Sequence, residues 1–106
     1  MGKPKILIVD DEIHIRKLLE AFFIFNGCHV DCATDGFDAL KFVENGCYNL
    51  LVVDYQMPNL NGVEFVKKVR EKWTSVPIFA MSASNASNVK DLFLKAGADF
   101  FHIKTY

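Results

Sequence analysis

Four short apolar runs constrain this chain more than anything else in it, because each ends in a polar residue. Ile6-Leu7-Ile8-Val9 runs into Asp10 and Asp11, and Leu50-Leu51-Val52-Val53 into Asp54. Ile78-Phe79-Ala80-Met81 runs into Ser82, and Phe100-Phe101-His102-Ile103 into Lys104. The runs do not alternate apolar with polar, so each is expected to be a strand buried on both faces. Longer amphipathic stretches separate them. Such a pattern predicts a parallel sheet flanked by helices and joined by right-handed crossovers. All four polar ends then gather on one edge. In open α/β sheets the carboxyl edge is where ligands bind.

The expected elements follow from period and punctuation. Strands are read at Lys5–Asp10, His29–Ala33, Leu50–Asp54, Ile78–Ser82 and Asp99–Lys104. Helices are read at Ile13–Asn26, Phe37–Asn45, from the Met57–Gly62 loop to Lys72, and at Ala86–Ala96. The first helix carries Ile15, Leu18, Leu19 and Phe22 at the spacing of one helix face. Ile24 falls about half a turn-circle from Ile15, with Phe25 on the flank. Gly27, Gly46 and Gly97 are read as helix stops. Pro58 is read as a strand breaker and Gly62 as a position of positive φ. The result is an α/β, doubly wound, five-stranded parallel sheet of order 2-1-3-4-5. The change of strand order puts Asp10, Asp11 and Asp54 at a topological switch point.

Composition excludes several classes. At 106 residues the chain is expected to be a single domain, 1–106, and an apolar fraction of 51% argues for a packed core. The net charge of −1 comes with scattered acids and bases, so no basic stripe marks a nucleic-acid partner. No apolar stretch approaches the roughly 20 residues that span a bilayer. The start, Met1-Gly2-Lys3-Pro4-Lys5, lacks the features of a secretion signal or a myristoylation site. Cys28, Cys32 and Cys47 show no CxxC spacing and read as free thiols in a reducing cytoplasm. His14, His29 and His102 have no ligand spacing to one another.

Clustered carboxylates need a counter-charge, and a hard divalent cation with oxygen ligands supplies it. Magnesium fits, because it takes one or two carboxylates, a carbonyl and several waters. Asp11 and Asp54 are the expected direct ligands, with Asp10 acting through water and the Gln56 backbone carbonyl within reach. Asp54 can then act as a nucleophile on phosphorus, since carboxylates form acyl phosphates. Lys104 offers a compact positive charge and Ser82 a rotatable donor to phosphoryl oxygens.

Asp10-Asp11 after an apolar strand, Asp54 followed by Met57-Pro58, then Gly62, Ser82 and Lys104, resemble the receiver domain of two-component response regulators. The resemblance spans essentially the whole chain. It implies that Asp54 accepts a phosphoryl group from the phosphohistidine of a sensor histidine kinase or phosphotransfer protein. It implies that Asp10, Asp11 and Asp54 hold magnesium, and that Ser82 and Phe101 couple phosphorylation to a surface change read by a downstream target or output domain. It also implies a phosphoacceptor in the cytoplasm rather than an enzyme with its own substrate. Two departures stand out: Thr105 follows Lys104 where the family has proline, and the chain stops where a fifth helix should begin. A missing helix leaves the face beside the first helix open, so a homodimer through that face, strand or helix exchange, or marginal stability is expected.

Other readings account for fewer residues. Asp10 and Asp11 could merely cap the first helix, Asp54 and Ser82 could be turn residues, Lys104 a solvated lysine and Phe101 a core residue. A phosphohydrolase of the haloacid-dehalogenase kind uses a second acid two residues after its nucleophile, and Gln56 stands there. A nucleotide- or flavin-binding domain needs a phosphate loop after the first strand, where Asp10-Asp11-Glu12 repels phosphate. A degenerate receiver used only for protein contact is the remaining alternative.

Overall fold

A computed structural model describes residues 2–83 and 87–104. Five strands alternate with four helices: β1 Lys5–Val9, α1 Ile13–Phe25, β2 His29–Ala33, α2 Gly36–Asn45, β3 Leu50–Asp54, α3 Gly62–Arg70, β4 Ile78–Ser82, α4 Ser87–Ala96 and β5 Phe100–Ile103. All pairings are parallel and the order is β2-β1-β3-β4-β5. The expected fold class is the one observed. The proposed start of the fourth helix at Ala86, and Thr105, lie outside the described residues.

The uninterrupted apolar runs have the predicted cause, since successive side chains point to opposite faces. Leu7, Val9, Leu51, Val53, Ile78 and Ala80 pack on one face with Val63, Phe65, Val66, Val69 and Phe93 of α3 and α4. Ile6, Ile8, Val52 and Met81 point the other way, toward Leu19 and Phe23 of α1. Two-sided burial of this kind leaves no room for alternation in the central strands.

The α1 stripe departs from expectation. Ile15 is buried and Leu19 half-buried, but Leu18 and Phe22 are 53% and 58% exposed. Phe23, not Phe22, continues the packed row. The apolar sector of α1 is wider than the part of the sheet it covers. Leu19, Phe22 and Phe23 form one wall of an apolar groove of about 320 Å³, floored by Leu50, Val52, Phe79 and Met81 and closed by His102. Ile24, on the side away from Ile15, is 56% exposed and Phe25 is 89% exposed.

Gly62 also corrects the reading. Positive φ occurs at Gly27 and Gly97, the helix stops, and at Asn59, but not at Gly62. A Cβ on Gly62 would lie 2.2 Å from the Asp54 carbonyl oxygen and 2.8 Å from the Phe93 ring. The glycine is therefore needed for close approach, not for backbone freedom. It lets the start of α3 fold back on β3, where the Gly62 N–H donates to the Tyr55 carbonyl at 2.9 Å. Asn61 caps α3, accepting from the Glu64 N–H while the Glu64 carboxylate accepts from the Asn61 N–H. We expect Gly62→Ala to cost about 2 kcal/mol through overpacking, read as a lowered urea midpoint at unchanged slope.

Candidate functional site

The carboxyl edge gathers what the sequence placed there. β1 ends at Val9, so Asp10 is the first residue beyond its strand, wedged between β2 and β3. Its N–H donates to the Ala33 carbonyl at 3.1 Å. Asp54 closes β3, and Tyr55 after it donates its N–H to the Met81 carbonyl at 2.9 Å. Ser82 closes β4, and its carbonyl accepts the Lys104 N–H at 2.8 Å. The backbones of the sheet thus fix the origins of Asp10, Asp54, Ser82 and Lys104. Asp10, Asp54 and Ser82 are buried; Asp11 is exposed.

The Lys104 ammonium sits 2.8 Å from Asp10 Oδ2 and 3.0 Å from Asp54 Oδ1, with a side chain only 7% exposed. One oxygen from each of Asp10, Asp11 and Asp54 lies within 4.8 Å of the others. Three carboxylates against one ammonium leave an excess of negative charge. Burial, and then the charge of Asp10, push the Asp54 carboxyl up from 3.8 to about 6, against the opposing pull of Lys104. Burial alone would lower the Lys104 ammonium's pKa. Its hydrogen bonds and charge pairing with Asp10 and Asp54 outweigh that and raise it. Lys104 is therefore a fixed cation.

These residues fit a hard cation. Asp10 Oδ2 is buried with no hydrogen-bond partner beyond its ion pair. Among the described residues no backbone N–H donates to the Gln56 carbonyl. An all-oxygen donor set beside buried, under-neutralised carboxylates suits magnesium better than a thiolate- or imidazole-seeking metal. The helix-cap reading of Asp10 and Asp11 accounts for less. Glu12 is the N-cap of α1 and makes no side-chain cap bond, while Asp10 Oδ1 accepts the Glu12 N–H at 2.9 Å.

Phe101 lies beside Ala80 in the β4–β5 register and is half-buried. Its ring centroid is 6.0 Å from that of Phe93, which is 6.0 Å from that of Tyr55. An aromatic row therefore links the residue after Asp54 to β5. The sequence reading missed Phe93 and Tyr55; Phe93 sits on a helix face, where its spacing signals only core. The cysteines are free, as expected. Burial, and then the Glu20 charge, push the Cys32 thiol up to about 11, which makes it a poor nucleophile.

A doubly wound sheet with an acidic pocket, a buried lysine and a strand-end hydroxyl at its carboxyl edge is the architecture that the receiver resemblance implies. Residues 6–106 match the response regulator receiver domain family, and the chain belongs to it. It is 35% identical over 101 residues to the autoinducer 2 sensor kinase/phosphatase LuxQ of Vibrio parahaemolyticus, across 94% of this chain and 12% of LuxQ. It is 33% identical over 102 residues to the response regulator MprA of Mycobacterium sp. (strain KMS), across 96% of this chain and 44% of MprA. The chain thus spans less than half the length of either relative. Among solved structures, TrrA of Thermotoga maritima, a response regulator in complex with Mg2+-BeF, superposes with a TM-score of 0.87 at 34% identity, over 97% of this chain and 88% of TrrA. No described helix is long and apolar enough to cross a membrane.

Proposed function

We propose that this receiver domain takes a phosphoryl group onto Asp54 in a magnesium-dependent reaction. The observation that carries this reading is the Lys104 ammonium held between Asp10 and Asp54 at 2.8 and 3.0 Å, beside the exposed Asp11. Asp10, Asp11 and Asp54 would hold the magnesium through carboxylate oxygens, and Gln56 through its carbonyl. Bound there, the ion supplies positive charge to the phosphoryl oxygens.

An Asp54 carboxylate oxygen attacks the phosphorus of a phosphohistidine. The new P–O bond forms as the P–N bond breaks, and the leaving imidazole keeps the electron pair. Lys104 and Ser82 receive the phosphoryl oxygens. Their places are fixed by strand hydrogen bonds before the donor arrives, so little orientation remains to be done. Transfer draws Lys104 from Asp54 toward the phosphoryl group. Ser82 and Phe101 then carry the change to β4 and β5.

On this reading the chain is a phosphoacceptor that assists its own transfer and hydrolysis and turns over no separate substrate. The donor is a sensor histidine kinase or phosphotransfer protein, the reader a downstream target or attached output domain, and the setting the cytoplasm. TrrA was solved with magnesium and beryllium fluoride, a phosphoryl mimic, which supports the same chemistry here. A thermal-shift titration tests it. Magnesium and beryllium fluoride together should raise the melting temperature well beyond magnesium alone, and Asp54→Asn should abolish that increment. An equal shift in the variant removes Asp54 as the acceptor. The apolar groove beside α1 is the proposed contact for a homodimer; a monomer in sedimentation equilibrium sets that contact aside.

A further inference from the structure

We infer that Arg16 is a positioning residue for the magnesium pocket, acting through the backbone of Asp10 rather than by touching the ion. The inference rests on the acidic-pocket reading above and adds a residue that reading does not use.

The start of α1 breaks local rules. Glu12, its N-cap, makes no side-chain cap bond, and the first turn holds no acid. Arg16 instead places a cation in that turn, where the helix dipole disfavours positive charge. Among the described residues its guanidinium makes no ion pair. It donates from Nη1 to the Asp10 carbonyl at 2.9 Å. A local rule set aside beside a functional site points to a role in that site.

That bond completes a four-point clamp on Asp10. Its N–H donates to Ala33, its Oδ1 accepts from the Glu12 N–H, its Oδ2 faces Lys104, and its carbonyl accepts from Arg16. The carbonyl belongs to the peptide joining Asp10 to Asp11. Turning that peptide swings the Asp11 Cα–Cβ bond. Asp11 is exposed and has no strand to hold it. Arg16 therefore fixes the plane from which the Asp11 carboxylate reaches the other two. Residues that orient metal ligands from the second layer cost about 10–100-fold in affinity when removed.

Magnesium alone is the probe. Its dissociation constant is measured by calorimetry for the wild type, Arg16→Met and Arg16→Lys, beside melts of each in EDTA. Arg16→Met keeps the apolar stem and should weaken magnesium by about tenfold while its EDTA melt stays near wild type. Arg16→Lys retains a donor and should fall between. Wild-type affinity in Arg16→Met, or affinity losses that follow the EDTA melts alone, overturns the positioning role. Should Arg16→Met fail to fold, wild-type affinity in Arg16→Lys overturns it equally. A wild type that takes no magnesium strikes the pocket reading itself, whereas normal binding in the wild type and in Arg16→Met strikes only Arg16.

Discussion

Lys104→Met should destabilise the metal-free protein by about 4 kcal/mol, the cost of breaking a buried ion pair from one side. The lysine side chain is 7% exposed and serves two carboxylates that are 0% and 6% exposed. Methionine fills the stem volume but leaves Asp10 and Asp54 facing each other without a cation. Asp54 is already pushed up by burial and by Asp10, so loss of the ammonium pushes it further and it takes a proton at neutral pH. That protonation limits the damage. Two results separate charge from packing. Magnesium should restore more stability to the variant than to the wild type. Adding Asp54→Asn to Lys104→Met should recover part of the loss. A double variant no more stable than Lys104→Met would assign the loss to packing of the lysine stem. Urea unfolding reads both, in EDTA for the variants alone and in excess magnesium for the rescue.

Asp54→Asn should do the opposite and stabilise the metal-free protein. A carboxyl displaced from 3.8 to about 6 makes the charged form cost roughly 3 kcal/mol at neutral pH. Asparagine is nearly the same shape, carries no charge and keeps an acceptor oxygen. The expected gain of about 2 kcal/mol corresponds to a melting rise of roughly 10 °C for a domain of this size. The pH dependence follows from the direction of the displacement. The folded state holds the Asp54 proton more tightly than the unfolded chain. Its contribution is therefore fully present below pH 3.8 and is lost as pH rises through about 6. The wild-type melt should show that decline, and Asp54→Asn should lack it. A stable resting protein would not place this acid here, so the cost is consistent with a residue kept for its chemistry.

The sheet was legible in the sequence because two-sided burial leaves a readable signature: short apolar runs that do not alternate, each with a polar end and separated by longer amphipathic stretches. The same signature located Asp10, Asp54, Ser82 and Lys104, whose positions are set by strand ends and hence by chain order. What lay outside local pattern was not legible. The apolar sector of α1 looked like one buried face, yet how much of it is covered depends on what lies across the sheet, and Leu18 and Phe22 are exposed. Gly62 suggested positive φ, because glycine's two uses look alike in a sequence; only the 2.2 Å approach to the Asp54 carbonyl tells them apart. The Asn61–Glu64 capping box was readable from its spacing and was missed. Arg70 could not have been read. It bonds the Gly97 and Trp73 carbonyls and the Asp99 carboxylate, partners brought together only by folding. Arg16 belongs to the same kind, its role visible only once the Asp10 carbonyl is seen turned toward it.

The central claim is that Asp54 accepts a phosphoryl group with magnesium held beside it. Intact mass after incubation with acetyl phosphate, with and without magnesium and beside Asp54→Ala, tests it most directly. The account predicts the gain of one phosphoryl group in the wild type with magnesium, and none when either the metal or Asp54 is missing. An unmodified wild type, or a gain that survives in Asp54→Ala, would contradict it.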